Sequence, residues 1–136
     1  GEAAGRGETG AEERKETMSK LYYLAHPVGP NDDHSYKENM ADGIQWWRAL
    51  LKNGWNVCAP WVGLCTALND ADRSERALGM SIDLEVMRRC DGIIATGDRV
   101  SIGMKIEWDE MGRLGREQIN LIGVDVERAP MAGDAK

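Results

Sequence analysis

The chain has 136 residues, 42% of them hydrophobic, and a formal net charge of −6. Its length allows one compact domain and argues against two. No apolar run approaches the roughly 20 residues that cross a bilayer, and the acidic first residues do not resemble a secretory signal. We therefore expect a cytoplasmic protein without membrane contact. The excess of 23 Asp+Glu over 17 Lys+Arg argues against binding a nucleic-acid polymer.

Residues 1–17 contain no aliphatic side chain larger than alanine. Such a segment cannot bury enough surface to order itself, so we expect a disordered leader over 1–17. The domain is predicted over 18–126, and residues 127–136 are predicted to form a polar C-terminal tail.

Strands and helices are predicted to alternate along the domain. The hydrophobic periodicity and the Gly and Pro positions predict strands over 20–25, 55–59, 92–96 and 119–124, and helices over 35–53, 74–90 and 103–115. Residues 61–72 are predicted to be irregular, with at most one helical turn. This alternation predicts an α/β fold, a single-domain Rossmann/flavodoxin-like three-layer sandwich with a small parallel sheet. Ligands bind such sheets at the carboxyl ends of the strands.

Ser101 and Gly103 lie where the loop after the third predicted strand runs into the last predicted helix. The free N–H groups of a helix start suit a phosphate, although ordinary capping by Ser101 explains the same pattern. Glu107 lies one turn further on the same face. Near the helix start its carboxylate is expected to stay ionised, as a nucleophile requires, although most helix glutamates are simply solvated.

Two aspartates are further candidates. Asp83 lies between apolar residues within a helix, and Asp91 lies where that helix ends. An acid near a helix C-terminus is unfavourable and needs a partner, so Asp91 is either a site residue or the partner of a nearby arginine.

Aromatic residues lie on the first predicted strand and at the ends of the first two. Tyr22 and Tyr23 are adjacent on a strand and must point to opposite faces, so one can reach a ligand while the other packs. His26 ends that strand and could contact a ligand. Trp61 follows the second strand and could stack on a base, although most tryptophans are core residues.

Cys58, Cys65 and Cys90 form no CxxC pair and are read as free thiols in a reducing compartment. The chain has only two histidines and lacks metal-ligand spacing, so we expect no metal.

Three segments together carry a family resemblance. They are Leu21-Tyr-Tyr-Leu-Ala25, then Asp83-Leu-Glu85 with Cys90-Asp91, and Ser101-Ile-Gly-Met-Lys-Ile-Glu107. The chain resembles the nucleoside 2-deoxyribosyltransferase family, including its branch of nucleoside 5′-monophosphate N-glycosidases. The resemblance implies that Glu107 attacks the anomeric carbon, Tyr22 positions that carboxylate, and Asp83 contacts and protonates the departing base. It also implies that Ser101 holds the 5′ end of the sugar, where transferases usually carry aspartate and monophosphate hydrolases carry serine.

The resemblance implies hydrolysis of a nucleoside 5′-monophosphate through a covalent glycosyl–glutamate, without a cofactor. The partner is a small-molecule nucleoside or nucleotide, and the protein is expected to form a homodimer or higher homo-oligomer. One alternative is a deoxyribosyltransferase that exchanges bases. Another is a non-catalytic nucleotide-binding module, favoured by Lys105 and Asp109, which replace a small residue and a glycine of the family pattern.

Overall fold

The computed structural model describes residues 20–133, so the predicted leader over 1–17 lies outside the described residues. Within this range four parallel strands form one sheet in the order β2-β1-β3-β4. The strands are β1 (Tyr22–Ala25), β2 (Val57–Cys58), β3 (Gly92–Ala95) and β4 (Glu117–Asn120). The predicted α/β class with a small parallel sheet is confirmed.

The register places the central strands side by side along their whole length. Tyr23 pairs with Ile93 on one side and with Cys58 on the other. Ala25 pairs with Ala95, the last residue of β3, so β1 and β3 end at the same level. The loops that follow these two strands therefore meet at one edge of the sheet.

The helices are α1 (Tyr36–Lys52), α2 (Pro60–Ala67), α3 (Arg73–Arg88) and α4 (Ile102–Arg113), followed by a 3-10 turn at Val126–Arg128. Side-chain caps explain where the long helices begin. Ser35 and Glu38 form a capping box before α1, whereas Asp72 caps α3 and Ser101 caps α4. Gly54, at a φ of +92°, ends the first of these helices in the left-handed conformation.

Two predicted elements were wrong in detail. Residues 61–72 contain the helix α2, because Pro60 occupies the first turn of a helix, where its missing N–H costs nothing. The last strand is Glu117–Asn120 rather than 119–124, since β4 is an edge strand that buries only Ile119. The apolar residues that follow it form a turn instead, with Gly123 at a φ of +82°.

The sheet is covered by helices that return the chain between parallel strands. Helices α3 and α4 pack against each other, whereas α1 contacts β2 and the 3-10 turn. Because α3 leads into β3 and α4 leads out of it to a parallel strand, both helices begin at the carboxyl edge of the sheet. The most deeply buried large side chains between these layers include Tyr23, Leu24, Leu50, Met87, Ile93, Ile94 and Met111.

The chain keeps its contacts with the domain beyond residue 126. The indole N–H of Trp55 donates to the carbonyl of Pro130 at 2.8 Å, and the N–H of Ala132 donates to the carbonyl of Asn53 at 3.0 Å. No helix between residues 20 and 133 is both long and apolar enough to span a bilayer.

Candidate active site

A cavity of about 420 Å³ opens at the carboxyl edge of the sheet. Its volume lies within the range of small-molecule sites. Six of the predicted site residues line it: His26, Trp61, Asp83, Ser101, Gly103 and Glu107. The elements that supply them are far apart in sequence, and the parallel sheet brings their ends together.

Glu107 and Tyr23 meet in the floor of the cavity. The hydroxyl of Tyr23 donates a hydrogen bond of 2.5 Å to Oε2 of Glu107, and only 1% of Tyr23 is exposed. Burial raises the pKa of Tyr23 well above its usual value, with the neighbouring Glu107 adding to the effect. The phenol therefore remains a proton donor to the carboxylate at any physiological pH.

Asp83 is the second carboxyl group of the floor. Its Oδ1 atom is buried and has no hydrogen-bond partner among the described residues. Burial raises the pKa of Asp83 to about 7. A carboxyl oxygen that lies at the wall of a cavity without a partner is available to a ligand that enters it.

Burial also raises the pKa of Glu107 to about 7, because desolvation and the charge of Asp83 outweigh the hydrogen bond from Tyr23. Burial therefore outweighs the effect of the helix dipole that was expected to hold this carboxylate ionised. Glu107 is the sixth residue of α4, beyond the first turn where the dipole acts most strongly. Both carboxyl groups of the floor therefore have a pKa raised to about 7.

The mouth of the cavity includes the start of α4. Ser101 caps this helix by accepting a hydrogen bond of 3.2 Å from the N–H of Met104. A Cβ at Gly103 would meet nothing within 4 Å, so the backbone is open at this point. Ordinary capping by Ser101 is thus observed. It occupies the N–H of Met104 and leaves those of Ile102 and Gly103 without a partner inside the helix.

His26 and Trp61 form a wall of the cavity, and contacts with other residues of the protein hold both rings in place. Their rings stack at 6.4 Å, and the indole N–H of Trp61 donates to the carbonyl of Leu24 at 2.8 Å. His26 bonds to Thr96 at 2.9 Å and lies 3.1 Å from Asp42, and burial lowers the pKa of His26. Glycine is required at position 43, since a Cβ there would lie 2.7 Å from Trp61.

The prediction that Tyr22 positions Glu107 was wrong. Tyr22 points to the other face of the sheet, where its hydroxyl donates to Glu117 at 2.7 Å and its ring packs edge-on against Trp55. It therefore cannot position Glu107, and the tyrosine that contacts Glu107 is Tyr23. Alternation along the strand established that the two phenols diverge, but it did not indicate which face carries the site.

Asp91 also lies away from the cavity. It precedes β3, so it stands at the amino edge of the sheet, where it accepts a hydrogen bond of 2.8 Å from the N–H of Leu21. This contact satisfies a backbone donor at the start of β1. The predicted arginine partner is not observed either, since the side chains of Arg88 and Arg89 pair with Glu110 and Glu85.

Several lining residues were not predicted. Tyr36 contributes from α1, while Arg76 and Met80 contribute from α3. Arg76, Met80 and Asp83 recur at a spacing of three to four residues and so share one face of the helix. That spacing is visible in the sequence once Asp83 is taken as a site residue.

The three cysteines are free thiols, of which Cys90 is buried and Cys58 and Cys65 are half-buried. No group of three or more His, Cys, Asp or Glu residues within 20–133 is arranged to hold a metal ion. The carboxyl and hydroxyl groups that line the cavity are of the kinds used in acid–base and nucleophilic chemistry.

The fold is that of the nucleoside 2-deoxyribosyltransferases. A solved structure of the 2-deoxyribosyltransferase from the psychrotolerant bacterium Bacillus psychrosaccharolyticus matches with a TM-score of 0.57 and 20% sequence identity, covering 74% of this chain and 70% of that one. The sequence model of a domain of unknown function, DUF7768, matches residues 20–120. The chain belongs to the DUF7768 family. The search of curated proteins found no match.

Proposed function

We propose that the protein is an N-glycosidase that hydrolyses the N-glycosidic bond of a nucleoside 5′-monophosphate through a covalent ester on Glu107. The observation that carries the proposal is the contact between Glu107 and Tyr23 in the floor of a cavity that Asp83 also lines. A half-buried carboxylate held by one hydroxyl keeps its second oxygen free to attack carbon. An unpartnered acid beside it can supply the proton that the leaving base needs.

In the first step Oε1 of Glu107, the oxygen that Tyr23 does not contact, attacks the anomeric carbon, and the bond to the base nitrogen breaks. The electron pair of that bond goes to the base, which takes a proton from Asp83. Glu107 must be ionised and Asp83 protonated for this step. When Glu107 and Asp83 hold one proton between them, it can lie on either group. The hydrogen bond from Tyr23 favours the form in which Glu107 is charged, since a charged acceptor makes the stronger bond.

In the second step a water molecule attacks the anomeric carbon and displaces Glu107 as a carboxylate. The ionised Asp83 accepts the proton of that water, so the enzyme returns to its starting protonation state. Two displacements at one carbon retain its configuration. Covalent catalysis replaces one difficult displacement with two easier ones.

The start of α4 supports a monophosphate rather than an unphosphorylated nucleoside. Ser101 is a neutral residue there, and the open backbone at Gly103 allows close approach. Helix N–H groups and a hydroxyl bind a phosphate well, whereas a carboxylate at this position would repel it.

Lys105 and Asp109, which favoured a non-catalytic module, lie outside the cavity lining. Their side chains pair at 3.0 Å on the solvent side of α4, where 71% and 60% of them are exposed. This ion pair does not obstruct the approach to Glu107, which supports catalysis over binding alone.

We also propose self-association, as the family resemblance implies. Ile102 and Val100 lie beside the start of α4 with 84% and 58% of their surface exposed. Apolar side chains this exposed next to a binding cavity are typical of a surface that a second subunit covers. Light scattering at working concentration tests this, and a monomer would contradict it.

The function is tested by incubating the full chain with a panel of ribo- and deoxyribonucleoside 5′-monophosphates and measuring free base by chromatography. We expect base release by the wild type and a loss of at least about 1000-fold in Glu107→Gln, since a missing nucleophile removes the covalent route. The matched control is Asp109→Asn, which removes a charge from the solvent side of the same helix. Base release by Glu107→Gln at the control rate, or no release from any nucleotide, would refute the proposal. Adding a second free base identifies a transferase, because only that enzyme forms the exchanged nucleotide.

A further inference from the structure

The cavity wall contains far more negative than positive groups. Four carboxyl groups line it, and Arg76 is the single Lys or Arg side chain among the described lining residues; the carboxyl groups are those of Asp70, Glu75, Asp83 and Glu107. A phosphate that enters such a cavity meets repulsion from several sides. Binding it requires a cation whose charge is not already neutralised by a neighbour.

Arg76 meets this requirement. Between residues 20 and 133 its guanidinium makes no ion pair or side-chain hydrogen bond. Most other arginines of α3 and α4 are paired, as Arg88 is with Glu110 and Arg113 with the same carboxylate. An arginine that lines a cavity and has no protein partner is free to bind an anion with two parallel N–H donors.

The helix geometry places Arg76 at the level of the cavity mouth. It precedes Asp83 by seven residues, or roughly 10 Å along the α3 axis. Ser101 precedes Glu107 by six residues, or roughly 9 Å along α4. Because both helices begin at the carboxyl edge, Arg76 and the start of α4 both lie at the mouth, about two turns above the two acids.

We propose that Arg76 is the residue that makes this site specific for a phosphorylated sugar, binding the phosphate on the side opposite the N-terminus of α4. This inference rests on the proposed function for the position of the sugar above Glu107. The neutral donors of α4 then supply directed hydrogen bonds, while Arg76 supplies the charge that offsets the surrounding carboxylates. Without that charge the acidic wall favours an uncharged sugar.

The test uses D-ribose 5-phosphate and D-ribose as probes, because neither requires knowledge of the base. Their affinities are measured by calorimetric titration of the full chain as wild type, Arg76→Gln, Arg76→Lys and Arg73→Gln. Arg73 lies three residues earlier on α3 and outside the cavity lining, so Arg73→Gln removes the same charge from a neighbouring position. Circular dichroism confirms that each variant is folded.

We expect the wild type and Arg73→Gln to bind ribose 5-phosphate more tightly than ribose. Arg76→Gln should weaken ribose 5-phosphate binding by at least about 10-fold, as the loss of a charge-assisted hydrogen bond does. Arg76→Lys should restore part of the affinity, since a point charge lacks the planar pair of donors. Equal loss in Arg76→Gln and Arg73→Gln, or a wild type that does not prefer the phosphate, would overturn the inference. If the phosphate preference depends on Arg76 but no nucleotide loses its base, the anion site stands and the proposed reaction fails.

Discussion

Tyr22 and Tyr23 are neighbours in the chain, yet their hydroxyls bind carboxylates on opposite faces of the sheet. Tyr23 donates to Glu107 at 2.5 Å in the cavity, and Tyr22 donates to Glu117 at 2.7 Å on the far side. The pair therefore provides two matched variants of similar chemistry, of which only one touches the proposed nucleophile.

Tyr23→Phe is expected to slow base release by roughly 10- to 100-fold, the cost of one hydrogen bond to a charged group. The hydrogen bond from Tyr23 lowers the pKa of Glu107, so its loss should also move the acidic limb of the pH–rate profile upwards. Steady-state kinetics between pH 5 and pH 9 measure both effects.

Tyr22→Phe is the control for this prediction. It removes a contact outside the cavity, so the rate should stay within about 2-fold while the free energy of unfolding falls by about 1 kcal/mol. A larger kinetic effect in Tyr22→Phe than in Tyr23→Phe would show that the wrong tyrosine has been placed in the site.

The pH–rate profile should be bell-shaped with its maximum near pH 7. Burial raises the pKa values of Glu107 and Asp83 to about 7 each, and the reaction needs the first ionised and the second protonated. Asp83→Asn should remove the alkaline limb and lower the maximal rate by roughly 100-fold or more. An alkaline limb that persists in Asp83→Asn would exclude Asp83 as the proton donor.

The same acid should make stability depend on pH. Burial raises the pKa of Asp83 to about 7 in the folded state, so ionisation is disfavoured there. Its contribution to stability is fully present below about pH 4, the unfolded pKa, and is lost as pH rises towards 7. Because Asn does not ionise, Asp83→Asn should gain about 1–2 kcal/mol relative to the wild type between pH 4 and pH 8, after discounting for the partial exposure of Asp83.

Denaturant unfolding at the two pH values measures this difference. Asp109→Asn, which changes an exposed aspartate, should show a much smaller change between them. The cost of burying an amide at position 83 is the same at both pH values and cancels. If the free energies of unfolding of the wild type and Asp83→Asn differ by the same amount at both pH values, Asp83 is not desolvated.

The sequence predicted those features that depend on local periodicity. The order of strands and helices, the cap at Ser101 and the placement of Glu107 on the cavity face all follow from residues within a few positions of one another. The choice between Tyr22 and Tyr23 does not, because it depends on which face of the sheet α4 covers. The face that α4 covers is set by how the chain connects the strands of the whole sheet, and not by residues near the two tyrosines.

Two other errors had signals in the sequence. Asp91 precedes its strand, and ligands bind at the opposite, carboxyl edge, so its position alone argued against a site role. Pro60 directly follows the second predicted strand, and proline is favoured in the first turn of a helix, so the sequence contained a signal for the helix that begins there. By contrast, the raised pKa of Glu107 required the packed structure, since desolvation depends on what surrounds the side chain.

The most direct measurement of the central claim is peptide mass mapping after rapid quenching of a reaction with a 2′-fluoro-substituted nucleoside 5′-monophosphate, whose glycosyl ester hydrolyses slowly. Such a substituent destabilises the positively charged sugar of the transition state, so the intermediate accumulates. We predict that the peptide containing Glu107 gains the mass of one fluoropentose phosphate, and that the Glu107→Gln variant does not. A label on another residue, or base release with inverted configuration at the anomeric carbon, would contradict the account.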